Sequence, residues 1–177
     1  MDFERVLGTV IEYLEGQGIP YAVIGGLSMA AYGMPRSTLD VDIVVPAECQ
    51  EGLLEFLEDL GYEALHVSSG YSNHLHFDAN LGRVDFVYVR GETSRELFES
   101  LRWVPGPGGR DVAVLRPELL AAMKVFAMKN DSSRAFRELA DIQYLMTQPG
   151  VDLSEIEEQF EKHGLGERFE ELKATLR

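Results

Sequence analysis

The sequence predicts an α/β (α+β) fold: a small mixed β-sheet with flanking helices, followed by a helical C-terminal part. Three observations predict it. Short β-branched and aromatic runs recur over the first two thirds of the chain, with turn residues between them. Apolar residues at helical spacing precede and separate several of these runs. From Pro117 onward the strand-like pattern stops and only helical spacing is left. A boundary near residue 115 follows, with 1–115 as the α/β core and 116–177 as the helical part.

The elements follow in order. Phe3, Val6, Leu7, Val10, Ile11 and Leu14 have helical spacing, and Gly16, Gly18 and Pro20 end that helix. Tyr21 to Ile24 is a short strand broken by Gly25-Gly26, and Leu27 to Tyr32 a short helix. Gly33, Pro35 and Ser37 make a turn. Asp40 to Val45 is a strand, and Leu53, Leu54, Leu57 and Leu60 mark a helix closed by Gly61. Tyr62 to Val67, His74 to Asp78 and Arg83 to Arg90 are three further strands, and Thr93 to Leu101 a helix. Pro105 to Gly109 is a turn or loop before a last strand, Val112 to Leu115.

In the helical part, Pro117 suits a helix start. Asp131-Ser132-Ser133 separates two helices and supplies an N-cap. Ser154 and Glu157 have capping-box spacing, and Lys162, His163 and Gly164 suit a helix end.

Composition narrows the function classes. With 177 residues, 45% of them hydrophobic, the chain has material for a real core. No apolar run is long enough to span a bilayer, so no membrane partner is expected. MDFERVLG has no basic leader before an apolar stretch, so no signal peptide is expected. The single cysteine, Cys49, excludes an internal disulfide and fits a cytoplasmic protein. The net charge of −14 argues against a broad nucleic-acid surface. Its distribution is uneven. Residues 1–82 carry two Lys/Arg against thirteen Asp/Glu, residues 83–137 ten against seven, and residues 138–177 four against ten. The acidic flanks fit a cationic small molecule or a protein, and the mildly basic middle leaves RNA open.

The informative stretch is YAVIGGLSMAAYGMPRSTLDVDIVVP, Tyr21 to Pro46. Positions i and i+2 of a strand project to the same side, so Asp40 and Asp42 present two carboxylates together. Two such charges about 4 Å apart repel by roughly 4 kcal/mol at an effective dielectric near ~20. A sheet built only for stability avoids that arrangement. A hard divalent cation turns the repulsion into binding, with Mg²⁺ favoured by carboxylate oxygens and Mn²⁺ an alternative. Such a centre can hold a triphosphate and activate an attacking hydroxyl. Asp85, in the apolar run Arg83 to Val89, is out of place as packing and is the third carboxylate if its strand lies nearby. Gly25-Gly26 before a helix start exposes backbone N–H groups to an anion. Ser28 adds a hydroxyl, and Arg36 and Thr38 precede the carboxylates as contacts for phosphate oxygens.

On Gly25-Gly26, Arg36, Thr38, Asp40, Asp42 and Asp85 the chain resembles the nucleotidyltransferases of the DNA polymerase β superfamily, and within it the AbiEii-type group found among bacterial toxin components. The resemblance covers about residues 20–146. It continues into Lys124-Val-Phe-Ala127 and Arg137-Glu138-Leu-Ala-Asp141. It implies a sheet and helices of the nucleotidyltransferase type. The implied activity is Mg²⁺-dependent transfer of a nucleoside monophosphate from an NTP to an acceptor hydroxyl of RNA, protein or a small molecule, with pyrophosphate released. It implies that Asp40, Asp42 and Asp85 bind the metal and that Asp85 helps deprotonate the acceptor. Gly25, Gly26 and Ser28 would face the nucleotide's phosphates, Lys124 would contact the triphosphate, and a cognate antitoxin would be a partner. The chain departs from the group at Asp131, where an arginine is usual, and at Arg137-Glu138, where Lys-Asp is usual.

Plainer readings stand beside these. Asp-x-Asp is often a solvated strand end. Arg36 and Thr38 suit a turn and a strand edge, and Ser28 a helix start. Lys124 can pair with Glu138 or Asp141 across two packed helices. His74 and His76 alternate onto one face, as cleft-lining or sheet-surface residues with no third soft ligand in view. Cys49 lacks a paired base and is no nucleophile. In the rival class the same fold binds a nucleotide or a partner without turnover.

Overall fold

The computed structural model describes residues 1–35 and 37–176. It divides into two compact units, Met1–Leu115 and Arg116–Arg177.

The first unit is a mixed sheet with helices. Helix α1 (Phe3–Gly16) starts at Asp2, whose carboxylate accepts from the Arg5 N–H at 3.1 Å. Strand β1 (Ala22–Ile24) runs straight into α2 (Gly25–Ala31). Then come β2 (Asp40–Pro46), α3 (Gln50–Asp59), β3 (Tyr62–Val67), β4 (Tyr71–His76), β5 (Arg83–Val89), α4 (Gly91–Glu99), β6 (Leu101–Pro105) and β7 (Asp111–Leu115). The seven strands lie in the order β3-β4-β5-β2-β1-β7-β6. The β2–β5 and β1–β7 pairs are parallel and the others antiparallel. This is the mixed α/β architecture that the sequence predicts.

Alternation decides which face is which. Val41, Ile43 and Val45 of β2 and Val84, Phe86 and Tyr88 of β5 are buried with Val6, Val10 and Leu14 of α1 and Leu53 and Leu57 of α3. A strand with one buried side leaves its other positions for polar work. Asp40, Asp42, Arg83 and Asp85 occupy those positions.

Some details differ from the sequence reading. Strand β6 is new: Leu101–Pro105 pairs with β7, Trp103 opposite Ala113. It is an edge strand without one fully buried residue, so it carries no apolar alternation to read. Strand β4 ends at His76 rather than Asp78. Asp78 instead forms a turn, accepting from the Asn80 N–H at 2.9 Å. His74 and His76 are buried on the core side, not at a cleft or an open surface. His74 Nε2 meets Ser72 Oγ at 2.8 Å, and Ser72 Oγ meets Tyr88 Oη at 2.7 Å.

The second unit is helical: α5 (Pro117–Asn130), α6 (Ala135–Leu145), α7 (Leu153–Lys162) and α8 (Gly166–Lys173). Asp131 accepts from the Ser133 N–H at 3.0 Å and caps the turn into α6. Helix α7 is capped by Asp152, which accepts from the Ser154 N–H, so Ser154 is inside the helix rather than at its cap. Ile142, Leu145, Ile156, Phe160 and Phe169 form its buried apolar centre. Among the described residues, no helix is long and apolar enough to cross a membrane.

Candidate active site

Strand register builds the site. In the parallel β2–β5 pair, Asp42 stands opposite Asp85 and Asp40 opposite Arg83. Because i and i+2 share a face, all four side chains project to the side away from the α1–α3 core. Asp40, Asp42 and Asp85 each offer a carboxylate oxygen, and these atoms lie within 4.8 Å of one another. The structure thus brings together the three carboxylates expected to form one centre. Three hard anionic oxygens, none deeply buried, suit Mg²⁺ or Mn²⁺ better than a softer metal.

Neighbouring groups orient the cluster. Thr38 Oγ1 donates to Asp40 Oδ1 at 2.7 Å. Arg83 Nε donates to both oxygens of Asp85, at 2.8 and 3.0 Å. That bond holds the Arg83 guanidinium further above its ordinary pKa; burial opposes the shift, and the charges of Asp85, Asp40 and Asp42 add to it. On the far side of β5, Asn73 of β4 stands opposite Asp85. Arg83 and Asn73 were not among the residues singled out from the sequence. Arg83 had a readable signal, since it sits two positions before Asp85 on the same strand face. Asn73 had none, because only the β4–β5 register brings it there.

The glycine pair has a geometric explanation. Ile24, the last residue of β1, is opposite Asp42, and the chain turns over that carboxylate at Gly25. Gly25 has φ +66°, and a Cβ there would lie 2.0 Å from Asp42 Oδ2. A Cβ at Gly26 would lie 2.6 Å from Thr38 Cβ. Only glycine lets the backbone approach the cluster this closely.

Ser28 is fully buried, and its hydroxyl donates to the Gly25 carbonyl at 2.9 Å. In this arrangement it braces the glycine turn rather than offering a free hydroxyl to a ligand. Lys124 is buried in the second unit, where Nζ donates to Glu138 at 3.0 Å and to Asp141 at 2.6 Å. The helix-pairing alternative is therefore the geometry observed. Glu138 also accepts from Arg134 at 2.7 Å. Burial alone would raise the Glu138 carboxyl, but the charges and bonds of Lys124 and Arg134 outweigh it and hold the group below the usual range. Arg36 lies outside the described residues. Cys49 is half-buried with its thiol on the Pro46 carbonyl, and burial pushes its pKa up to about 11.

The sheet face away from the α1–α3 core thus gathers three carboxylates beside a glycine turn. Residues 3–174 match the family described as "Uncharacterised nucleotidyltransferase", and the chain belongs to that family. No curated protein matches the chain. Several solved structures share its fold. One is ANT(2")-Ia in complex with adenylyl-2"-tobramycin, with TM-score 0.68 and 14% identity over 93% of this chain and 98% of that one. Another is the lincosamide antibiotic adenylyltransferase LnuA, lincomycin-bound, with TM-score 0.57 and 17% identity over 81% and 96%. A third is an antigenic nucleotidyltransferase-like protein from Paracoccidioides brasiliensis, with TM-score 0.58 and 16% identity over 96% and 92%. At these identities the likeness is one of fold.

Proposed function

We propose that the protein transfers a nucleoside monophosphate from an NTP to an acceptor hydroxyl, with Asp40, Asp42 and Asp85 as the catalytic carboxylates. The observation that carries this reading is the convergence of the three carboxylates on one face of β2 and β5. They would hold Mg²⁺, with Mn²⁺ as a substitute. When bound, the metal neutralises charge on the phosphates and on the leaving pyrophosphate. Asp85 takes the proton of the acceptor hydroxyl. The acceptor oxygen forms a bond to the α-phosphorus, the bond to the bridging oxygen of the β-phosphate breaks, and pyrophosphate leaves. Gly25 and Gly26 let the backbone close on the phosphates, Thr38 fixes Asp40, and Ser28 holds the turn. Arg36 is a further phosphate contact in this scheme. Lys124, held by Glu138 and Asp141, belongs to the scaffold of the second unit in this reading.

For the acceptor we favour a small hydroxylated molecule over an RNA end or a protein. Two of the fold neighbours are described with antibiotics of that kind. The acidic flanks also oppose a long polyanion. A toxin role with a cognate antitoxin, as in the AbiEii-type group, is the finer form of the same proposal and rests on the motif string alone.

The test is thermal unfolding with each NTP, with and without Mg²⁺, followed by an acceptor screen with α-labelled NTP. Binding to the native state raises the midpoint by mass action. The expected result is an Mg²⁺-dependent rise that is lost in Asp42→Asn, together with labelled product and pyrophosphate. A rise without product across RNA, protein and small-molecule acceptors would favour the non-catalytic binding module. No rise with any NTP would sink the nucleotide reading.

A further inference from the structure

We propose that Arg83 is an internal counter-cation of the carboxylate cluster. It holds Asp85 in the metal-free protein and must release that carboxylate before a divalent cation can engage all three aspartates. This rests on the metal reading above.

The three aspartates are not equivalent. Asp40 is bonded by the neutral hydroxyl of Thr38, on one oxygen, which orients it without cancelling its charge. Asp85 has both oxygens engaged by one guanidinium nitrogen. Arg83 is register partner to Asp40 and precedes Asp85 by two positions, so its charge is placed against the cluster from the strand that carries Asp85. Three carboxylates within 4.8 Å repel one another strongly when no cation is present. An arginine on the same face relieves that repulsion without outside help.

The pairing is also reversible by construction. The Arg83 side chain is 42% exposed, against 14% for Asp85. A long side chain reaching from solvent can swing away, whereas the carboxylate rooted on the sheet cannot. An ion pair with its cation partly in solvent is more readily exchanged than a fully buried one. A guanidinium freed in this way suits phosphate oxygens, which it can bind in a bidentate manner. Arg83 would therefore keep the cation affinity of the nucleotide-free protein low. It would move from Asp85 to the triphosphate when metal and nucleotide arrive together. Arg83 acts here through Asp85, as a positioning residue.

Mn²⁺ binding, read by the loss of the free-ion electron paramagnetic resonance signal and without nucleotide, tests this on four forms of the 177-residue chain. They are wild type, Arg83→Gln, Asp85→Asn and the double variant. Thermal unfolding of each confirms the fold. Arg83→Gln is expected to bind Mn²⁺ more tightly than wild type by about fivefold or more. In the Asp85→Asn background the same substitution is expected to bring no gain, because the carboxylate that Arg83 guards is gone. An equal gain in both backgrounds would mean that Arg83 acts only through its general field, and would overturn this inference alone. So would no gain over wild type. Failure of all four proteins to bind Mn²⁺ would overturn the inference and the metal reading together.

Discussion

Asp42 and Asp85 are register partners in adjacent parallel strands, with their side chains on the sheet face away from the α1–α3 core. Side-by-side carboxylates cost stability unless something positive lies between them. Asp42→Asn is therefore expected to separate function from stability. Nucleotidyl transfer should fall by roughly a hundredfold or more, measured as labelled product. The metal-free variant should still melt in one cooperative transition close to that of wild type, measured by calorimetry. A marked drop in melting temperature would instead make Asp42 a structural residue.

Gly25→Ala tests the approach of the backbone to the cluster. Its φ is +66° and its Cβ would fall 2.0 Å from Asp42 Oδ2. The positive φ alone costs about 1–2 kcal/mol, and the clash adds to it. Urea unfolding should show a loss of about 2 kcal/mol or more, and nucleotide binding should weaken with it. Gly8→Ala is the control, since its added Cβ would meet nothing within 4 Å.

Lys124 is expected to matter for folding first. Lys124→Met leaves Glu138 and Asp141 buried without their shared ammonium. Removing one partner of a buried ion network costs about 3–5 kcal/mol. Chemical denaturation should show this loss. Asp141→Asn in the Lys124→Met background should restore part of it, because one of the two neighbouring buried carboxylates is then neutral.

Acid should destabilise the protein in two successive windows. Burial lowers the His74 pKa despite the charge of Asp85, so the folded state binds its proton less readily than the unfolded chain. Stability from His74 is present above its ordinary value of 6.5 and is lost as pH falls below it. Glu138 is likewise held below its ordinary 4.5. Its contribution is present above 4.5 and is lost as pH falls through the lowered folded value. Melting temperature against pH should fall in both windows, and Glu138→Gln should flatten only the lower one.

The Cys49 thiol should be slow to react. With a pKa near 11, roughly one molecule in a thousand carries the thiolate at pH 8. Iodoacetamide labelling of the native protein at that pH should be far slower than that of the urea-unfolded chain. Equal rates would contradict the burial of the thiol.

What could be read along the chain was what repeats locally. The alternation in DVDIVV and RVDFVYV placed each aspartate on a strand face opposite its apolar neighbours, and the structure keeps that division. Helical spacing located α1, α3 and the C-terminal helices, because burying one stripe leaves a period in the residues themselves. Strand β6 escaped notice because an exposed edge strand buries no alternating set.

By itself, then, the sequence determined the fold class, the residues that make up the carboxylate set, and the resemblance to nucleotidyltransferases. Only the tertiary structure decided that β5 lies beside β2 in the register that sets Asp85 against Asp42. It also decided that Arg83 bonds Asp85, that Asn73 flanks it, and that Ser28 and Lys124 are buried on partners of their own. The physical reason is range. Periodicity is a property of neighbouring residues, whereas register is chosen by the packing of a whole sheet face against its helices, where a slip of one residue would turn every apolar side chain outward.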